Sequence, residues 1–249
     1  MRLHRYFLFA MLGWSAAQCQ TPNCDFRQYK AAAGLKAEAT ESGLQVTWQG
    51  EQDRHLRALF AIRGGQPVVR ELAVEKGKGA WVTLARDLSP EFDVTSGRRR
   101  ISEQQLQPLR ALKLDTPERL EREKWNAFWD APLDVPGGRN TNMDLPRTAA
   151  EIRHAKATYN ATGCDVKTDG ARLEVSFSGL SMGIFSGKLM FTVYKGTNLL
   201  RQEAIAKTEE PSVAYKYEAG LKGFAIDKAK DVMWRDVARA WRNTNLAAP

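Results

Sequence analysis

The sequence predicts a mostly β protein, an antiparallel β-sandwich or super-sandwich built from two related four-stranded units with a short helical insert. Three observations favour this fold class. Segments with alternating apolar residues recur, glycine-rich turns separate them, and one group of segments repeats at an offset of 131 positions, the distance from Phe60 to Phe191. The hydrophobic fraction of 43% is ample for a packed core.

The first residues have the order of a secretory signal peptide. Arg2 and Arg5 precede a short apolar run at 7–17, and the small residues Ser15 and Ala17 suit cleavage after Ala17. The run is too short for a stable membrane anchor. We therefore expect a secreted or periplasmic protein without a transmembrane segment.

The chain divides into five segments. We predict a signal peptide at 1–17, a first β unit at 18–100, a helical insert and long loop at 101–147, a second β unit at 148–226, and a C-terminal helix or strand with a tail at 227–249. Within the tail segment, Trp234 and Trp241 have helical spacing, but the same residues could start a strand.

Each β unit opens with the pattern Leu-x-Val-x-aromatic-x-Gly, at 44–50 and again at 173–179. In the first unit a hairpin follows, with strands 56–62 and 67–74 joined by Gly64-Gly65, because two glycines allow the positive φ values of a tight turn. The corresponding turn of the second unit is expected at 195–198. A further strand is predicted in each unit, at 80–86 and 212–217. Two such sheets bury their apolar faces by packing together.

The insert is predicted to be helical at first. Ser102 begins a capping box, and Leu106, Leu109 and Leu112 follow as a narrow apolar stripe that Pro108 should shorten or kink. A second helix is expected from Thr116-Pro117 through the two tryptophans Trp125 and Trp129. The proline- and glycine-rich stretch 130–147 is predicted to be a loop.

The chain has three cysteines, Cys19, Cys24 and Cys164, and after export they are expected to be in an oxidising compartment. Cys24 and Cys164 precede the two β units, so a disulfide between them would tie the units together. Pairing of Cys19 with Cys24 is the alternative. No pair has the spacing of metal ligands, and no cofactor is expected.

The sequence contains two candidate chemical sites. Gly179-Leu-Ser-Met-Gly183 matches the nucleophile elbow of hydrolases, but the elbow needs a following helix, and a glycine-rich hairpin is expected here instead. The stretch at the end of the insert combines aromatic, acidic and basic residues that could bind a sugar, namely Trp125, Trp129, Asp130, Asp134, Arg139 and Arg147. Packing is the stronger interpretation for the two tryptophans, as it is for Tyr215 and Tyr217 on their strand.

One pair of motifs resembles a known group of proteins. Tyr217-x-Ala-Gly-Leu-Lys-Gly223 followed by Trp234-Arg-Asp236 is similar to the N-terminal β-rich region of large, secreted, uncharacterised bacterial proteins. The resemblance covers mainly residues 130–241 and implies no established activity. In those proteins the chain continues for several hundred residues, so a truncated product or fragment is one expectation for a chain ending at Pro249.

We predict a non-catalytic module that binds extracellular or envelope glycans. The alternatives are a polysaccharide lyase or glycoside hydrolase domain that uses the loop carboxylates, and a structural envelope protein. The net charge of +8 falls to +6 when Arg2 and Arg5 leave with the signal peptide. This charge and the cluster Arg98-Arg99-Arg100 make an acidic glycan a possible partner, whereas export argues against nucleic acid. The oligomeric state does not follow from the sequence.

Overall fold

The structure, a computed structural model, describes residues 19–77, 79–98, 103–118, 152–211, 213–225 and 231–245. The predicted fold class is confirmed, because two mostly antiparallel sheets enclose one core and a single α-helix is described. The signal peptide and the loop 130–147 lie outside the described residues, as does the second helix of the insert after residue 118, although residues 117–118 are helical as predicted. Among the described residues, no helix is both long and apolar enough to cross a bilayer.

The first half of the chain forms most of the larger sheet, in which five consecutive strands pair as an antiparallel meander. In chain order the strands are β1 Cys19–Gln20, β2 Asn23–Gln28, β3 Leu35–Thr40, β4 Gly43–Gln49, β5 His55–Arg63, β6 Gln66–Glu75 and β7 Trp81–Arg98. A short 3-10 turn, Glu51–Asp53, precedes β5. The α-helix α1, Glu103–Ala111, follows β7 and continues for three residues beyond Pro108.

The second half forms the smaller sheet in the same manner, with four consecutive strands paired as a meander from β10 to β13. The strands are β8 Ile152–Lys156, β9 Thr158–Tyr159, β10 Gly163–Thr168, β11 Arg172–Met182, β12 Phe185–Tyr194, β13 Leu200–Lys207 and β14 Val213–Lys222, with β15 Asp231–Arg235 and β16 Trp241–Asn245 after them. The last two strands pair only with each other. The strand interpretation of the C-terminal segment is therefore correct and the helical one is wrong.

The two sheets exchange strands at both ends of the chain. β2 comes before the first meander, yet it pairs in parallel with β10 of the smaller sheet. β14 follows the second meander, yet it pairs with the second half of β7 in the larger sheet. β8 also joins the larger sheet along β7. Neither sheet is therefore made from one half of the chain alone, and separating the two halves of the chain would break strand pairing as well as core packing.

The core lies between the inner faces of the sheets and has three phenylalanines at its centre. Phe60 on β5 contacts Phe191 on β12, with ring centroids 4.8 Å apart, and Phe177 on β11 lies 6.3 Å from Phe60 and 6.4 Å from Phe191. All three side chains are fully buried. Every second residue of each strand points inward, so the alternating patterns of the sequence produce this core.

The predicted disulfide between Cys24 and Cys164 is present, and it joins β2 to β10. The two cysteines are directly opposite each other in the parallel pair, with Cα atoms 4.4 Å apart. The bond thus fastens the exchanged strand β2 to the smaller sheet. Its presence is compatible with an oxidising, extracytoplasmic compartment.

The two predicted hairpin turns differ from each other. Gly64 and Gly65 form the expected two-residue turn with φ values of 57° and 83°. In the second hairpin the last pair is Val193 with Leu200, so the connection is longer than its predicted counterpart. The longer connection contacts the larger sheet, where the Gly196 N–H donates to the Gln49 carbonyl over 2.7 Å. The second hairpin therefore differs in register from the first, and the internal repeat stays a prediction.

A buried carboxylate holds the outer face of the larger sheet together. Glu71 on β6 is 8% exposed and accepts hydrogen bonds from Arg57 and Thr83, and Arg86 lies 3.1 Å away. The Arg57 guanidinium also lies 4.5 Å from the centre of the Trp81 ring. Removing the carboxylate would leave half-buried positive charge without its partner.

We therefore expect Glu71→Ala to lower the free energy of unfolding by about 1–3 kcal/mol, as is usual when a buried hydrogen-bonded charge loses its partner. Urea denaturation would measure the loss. The matched control is Glu209→Ala, which breaks the fully exposed pair with Lys207 and should leave the midpoint unchanged. Equal midpoints for the two variants would show that the Glu71 network contributes no stability.

Candidate functional site

A cleft opens where the sandwich ends, between β13 and β14. These strands follow each other in the chain, and each is the outermost strand of its own sheet. In the described sheets they do not pair with each other, because β13 pairs with β12 and β14 pairs with β7. The strands therefore diverge after the connection 208–212, and a cleft of about 420 Å³ lies between them.

Four of the twelve residues that line the cleft are aromatic. Phe92 and Phe185 are buried in its floor, while Tyr215 and Tyr217 on β14 are 59% and 63% exposed. The Tyr215 ring meets the Phe185 ring edge to face, with centroids 5.5 Å apart. A concave surface with an apolar floor and two accessible aromatic rings is typical of small-molecule and sugar sites.

The strand register explains why the tyrosines face the cleft. Tyr215 and Tyr217 are two apart, so they point to the same side of β14. Their partners on β7 are Ser96 and Val94, and the next pair brings Phe92 opposite Ala219. The inner face of this part of the larger sheet is thus mostly aromatic and aliphatic. Phe185 of the smaller sheet contacts the Tyr215 ring, yet both tyrosines stay more than half exposed.

Gln202 on β13 contributes the main polar group of the cleft. Its amide nitrogen Nε2 donates a hydrogen bond of 3.0 Å to the Gly220 carbonyl on β14, which bridges the two strands. Its amide oxygen Oε1 is shielded from solvent and has no hydrogen-bond partner. A buried acceptor without a donor costs about 1–3 kcal/mol, and such atoms are rare in folded proteins.

The charges on β13 next to the cleft neutralise each other. Arg201 and Glu203 form an ion pair of 2.5 Å. The Arg201 guanidinium also donates to the Tyr194 hydroxyl over 3.4 Å, and this hydrogen bond raises the pKa of the arginine. Among the described residues that line the cleft, these are the only two with charged side chains.

A second polar group lies on the outer face of the larger sheet. The Thr95 hydroxyl is 3.0 Å from His154 Nδ1, within reach of proton transfer. Around this pair, Asp93 lies in register with Lys156 on one side and with Glu218 on the other. Acidic and basic side chains are mixed across the three strands, with Lys156 and Lys216 close to Asp93 and Glu218, which is typical of a solvated sheet face and gives no catalytic arrangement.

The motif at 179–183 does not form a nucleophile elbow, as expected from its sequence context. Ser181 lies within β11 and is opposite Ser186 in β12, so a strand rather than a helix follows the turn. Gly179 has a φ of 90°, and a Cβ there would lie 2.6 Å from the Asn160 carbonyl oxygen. This glycine is required by the close approach of another backbone segment. No group of histidine, cysteine and acidic residues able to hold a metal is found in the described part of the chain.

The six residues predicted at the end of the insert fall outside the described residues, so their arrangement stays a prediction. They are Trp125, Trp129, Asp130, Asp134, Arg139 and Arg147. The cleft instead uses Tyr215, Tyr217 and Gln202. The tyrosine spacing is visible in the sequence, but it equally predicts a covered sheet face. Gln202 carries no signal of its own, because its role depends on the divergence of β13 from β14.

Fold and cleft together define the protein as a disulfide-linked β-sandwich with an aromatic cleft at one open end. In comparisons with family models, curated proteins and solved structures, nothing matches this chain.

Proposed function

We propose that the protein is a non-catalytic, secreted module that binds a glycan in the cleft between β13 and β14. The observation that carries the proposal is the pair of exposed rings, Tyr215 and Tyr217, above an apolar floor. The apolar C–H face of a sugar ring packs on an aromatic ring, and its hydroxyl groups need polar partners at the edge. Gln202 and the tyrosine hydroxyls supply such partners.

The proposal also includes the location of the protein outside the cytoplasm and its resemblance to other secreted proteins. The signal peptide at 1–17 and the Cys24–Cys164 disulfide support a site of action outside the cytoplasm. We also propose that the chain is related to large secreted bacterial proteins and that its β units arose by duplication. A module of such a protein would act next to other envelope or extracellular components.

Removing one ring should weaken glycan binding. We expect Tyr217→Ala to lower the affinity for the bound glycan about tenfold, because a lost stacking contact costs roughly 1–1.5 kcal/mol. Isothermal titration with a panel of neutral and acidic oligosaccharides would identify the ligand and measure the loss. Equal affinities of the wild type and the variant would contradict the proposed site.

Two controls accompany this measurement. Phe224→Ala removes an aromatic ring that is 44% exposed but does not line the cleft, and it should leave the affinity unchanged. Trp129→Ala tests the sequence-predicted site, and a large loss of affinity there would favour that site over the cleft. Release of reducing sugar that Asp130→Asn abolishes would instead support the lyase or hydrolase alternative.

A further inference from the structure

We propose that the ligand of the cleft is an uncharged oligosaccharide, and that one of its hydroxyl groups donates a hydrogen bond to Gln202 Oε1. This inference rests on the proposed function and names the class of glycan. It excludes the acidic glycan that the net charge of the chain suggests. Two independent features of the cleft support it: an acceptor that needs a donor, and the mutual neutralisation of the two neighbouring charges.

The first feature is the orientation of the Gln202 amide. The hydrogen bond from Nε2 to the Gly220 carbonyl fixes which end of the amide faces the opposite strand. Reversing the amide would place its oxygen against that carbonyl oxygen, and two acceptors repel each other. The amide oxygen is therefore held as an acceptor within a cleft whose uncharged lining is otherwise aromatic and aliphatic.

An acceptor of this kind selects its partner. A sugar hydroxyl can donate to it, whereas an ionised carboxylate or sulfate at this position would offer only further acceptors, so the acceptor disfavours a charged group here and the charge balance of β13 distinguishes the classes of glycan. The terminal torsion of a glutamine is broad, so a small rotation turns the shielded oxygen towards an entering ligand. Binding a donor removes the cost of the unsatisfied oxygen, and this gain occurs only in the complex.

The second feature is the charge balance of β13. An acidic glycan would need an available cation, but the Arg201 guanidinium is held by Glu203 and by the Tyr194 hydroxyl. Recruiting the arginine would leave the half-buried Glu203 carboxylate without its partner. An uncharged ligand leaves this pair intact.

Titration of the folded wild-type protein with two groups of probes tests the proposal. We expect cello- or manno-oligosaccharides to bind more tightly than polygalacturonate and hyaluronan oligosaccharides, with an affinity that does not change between low and high salt. Tighter binding of the acidic probes, weakening as salt is added, would overturn the inference but leave glycan binding intact. Binding of neither group would overturn the proposed function itself.

The variant Gln202→Met tests the role of the amide oxygen. Methionine keeps the length of the side chain without its acceptor, and we expect about a five- to tenfold lower affinity for the neutral probe. The melting temperature should change little, because the variant loses one hydrogen bond but also removes a buried acceptor without a partner. An unchanged affinity would overturn the role of Gln202. A large fall in melting temperature with no change in affinity would show that the residue is structural only.

Discussion

Replacing Cys24 and Cys164 together by serine is expected to lower the free energy of unfolding by about 2–5 kcal/mol. The two cysteines are 140 positions apart, and a cross-link across so long a loop restricts the unfolded chain strongly. Chain-entropy arithmetic gives about 5 kcal/mol for a loop of this length. The same bond fastens β2, which the first half of the chain contributes to the smaller sheet.

Guanidinium denaturation of the oxidised protein and of the double variant would measure this effect. Both proteins should carry Cys19→Ser, so that no alternative pairing with the third cysteine forms. Cys19→Ser alone is the control, and it should keep the midpoint of the parent protein. A double variant as stable as its parent would show that the exchanged strand is held by sheet pairing and core contacts alone.

Truncating the central aromatic ring of the core should have an effect of similar size. We expect Phe191→Ala to cost about 3–5 kcal/mol, because it removes a large buried side chain and leaves a cavity between the sheets. The residue is 1% exposed and packs against Phe60 with ring centroids 4.8 Å apart. Thermal and urea denaturation would both report the loss.

The control for this variant is Phe224→Ala, which removes the same ring from an exposed position and should stay within about 0.5 kcal/mol of the wild type. Combining Phe191→Ala with Phe60→Ala measures the coupling of the two rings, expected at about 0.5–1.5 kcal/mol. Additive losses would mean that the rings contribute separately and that the sheets do not meet through this pair.

Strand positions were predictable because each depends on a short, local pattern. Alternation in the stretch 44–50 specifies one inward face, and Gly64-Gly65 specifies a tight turn, regardless of what lies elsewhere in the chain. β4, β5 and β6 accordingly agree with the predicted strands to within one residue at each end. The disulfide was predictable as well, because the signal peptide predicted at 1–17 implies an oxidising compartment for the cysteines.

Long-range pairing was not predictable in the same way. Apart from Cys24, whose predicted bond to Cys164 places it beside the second unit, nothing near Asn23–Gln28 indicates that β2 pairs as a strand of the smaller sheet. The turn at 195–198 looks like its counterpart in the first unit, but its groups bond to the larger sheet, with Thr197 O accepting from Trp48 Nε1 over 2.9 Å. Such contacts depend on how the sheets pack, and single-strand patterns do not contain that information.

The C-terminal segment shows how one pattern can fit two structures. Trp234 and Trp241 are seven positions apart, which suits two turns of a helix. In the structure they lie on paired strands, and the turn between β15 and β16 includes Arg239 with a φ of 62°. The Asp236 carboxylate accepts hydrogen bonds from the Ala240 N–H and from Arg242, and these bonds hold the hairpin closed. The bond to Arg242 also lowers the pKa of Asp236.

The cleft was the least predictable feature, because it results from a strand that leaves its expected sheet. In the first unit β7 pairs with β6, whereas its counterpart β14 pairs with β7 and not with β13. This departure leaves the edges of β13 and β14 apart and two tyrosine rings more than half exposed. Sequence patterns assign Tyr215 and Tyr217 to an inward face, but they do not indicate that the opposite sheet covers that face only in part.

The most direct test of the account is to locate a bound oligosaccharide by nuclear magnetic resonance of the isotopically labelled protein. We predict that titration with a neutral glycan that binds shifts the signals of Tyr215, Tyr217 and the Gln202 side-chain amide, while Phe224 stays unperturbed. Shifts confined to residues 125–147, with no change at the two tyrosines or at Gln202, would contradict a binding site between β13 and β14.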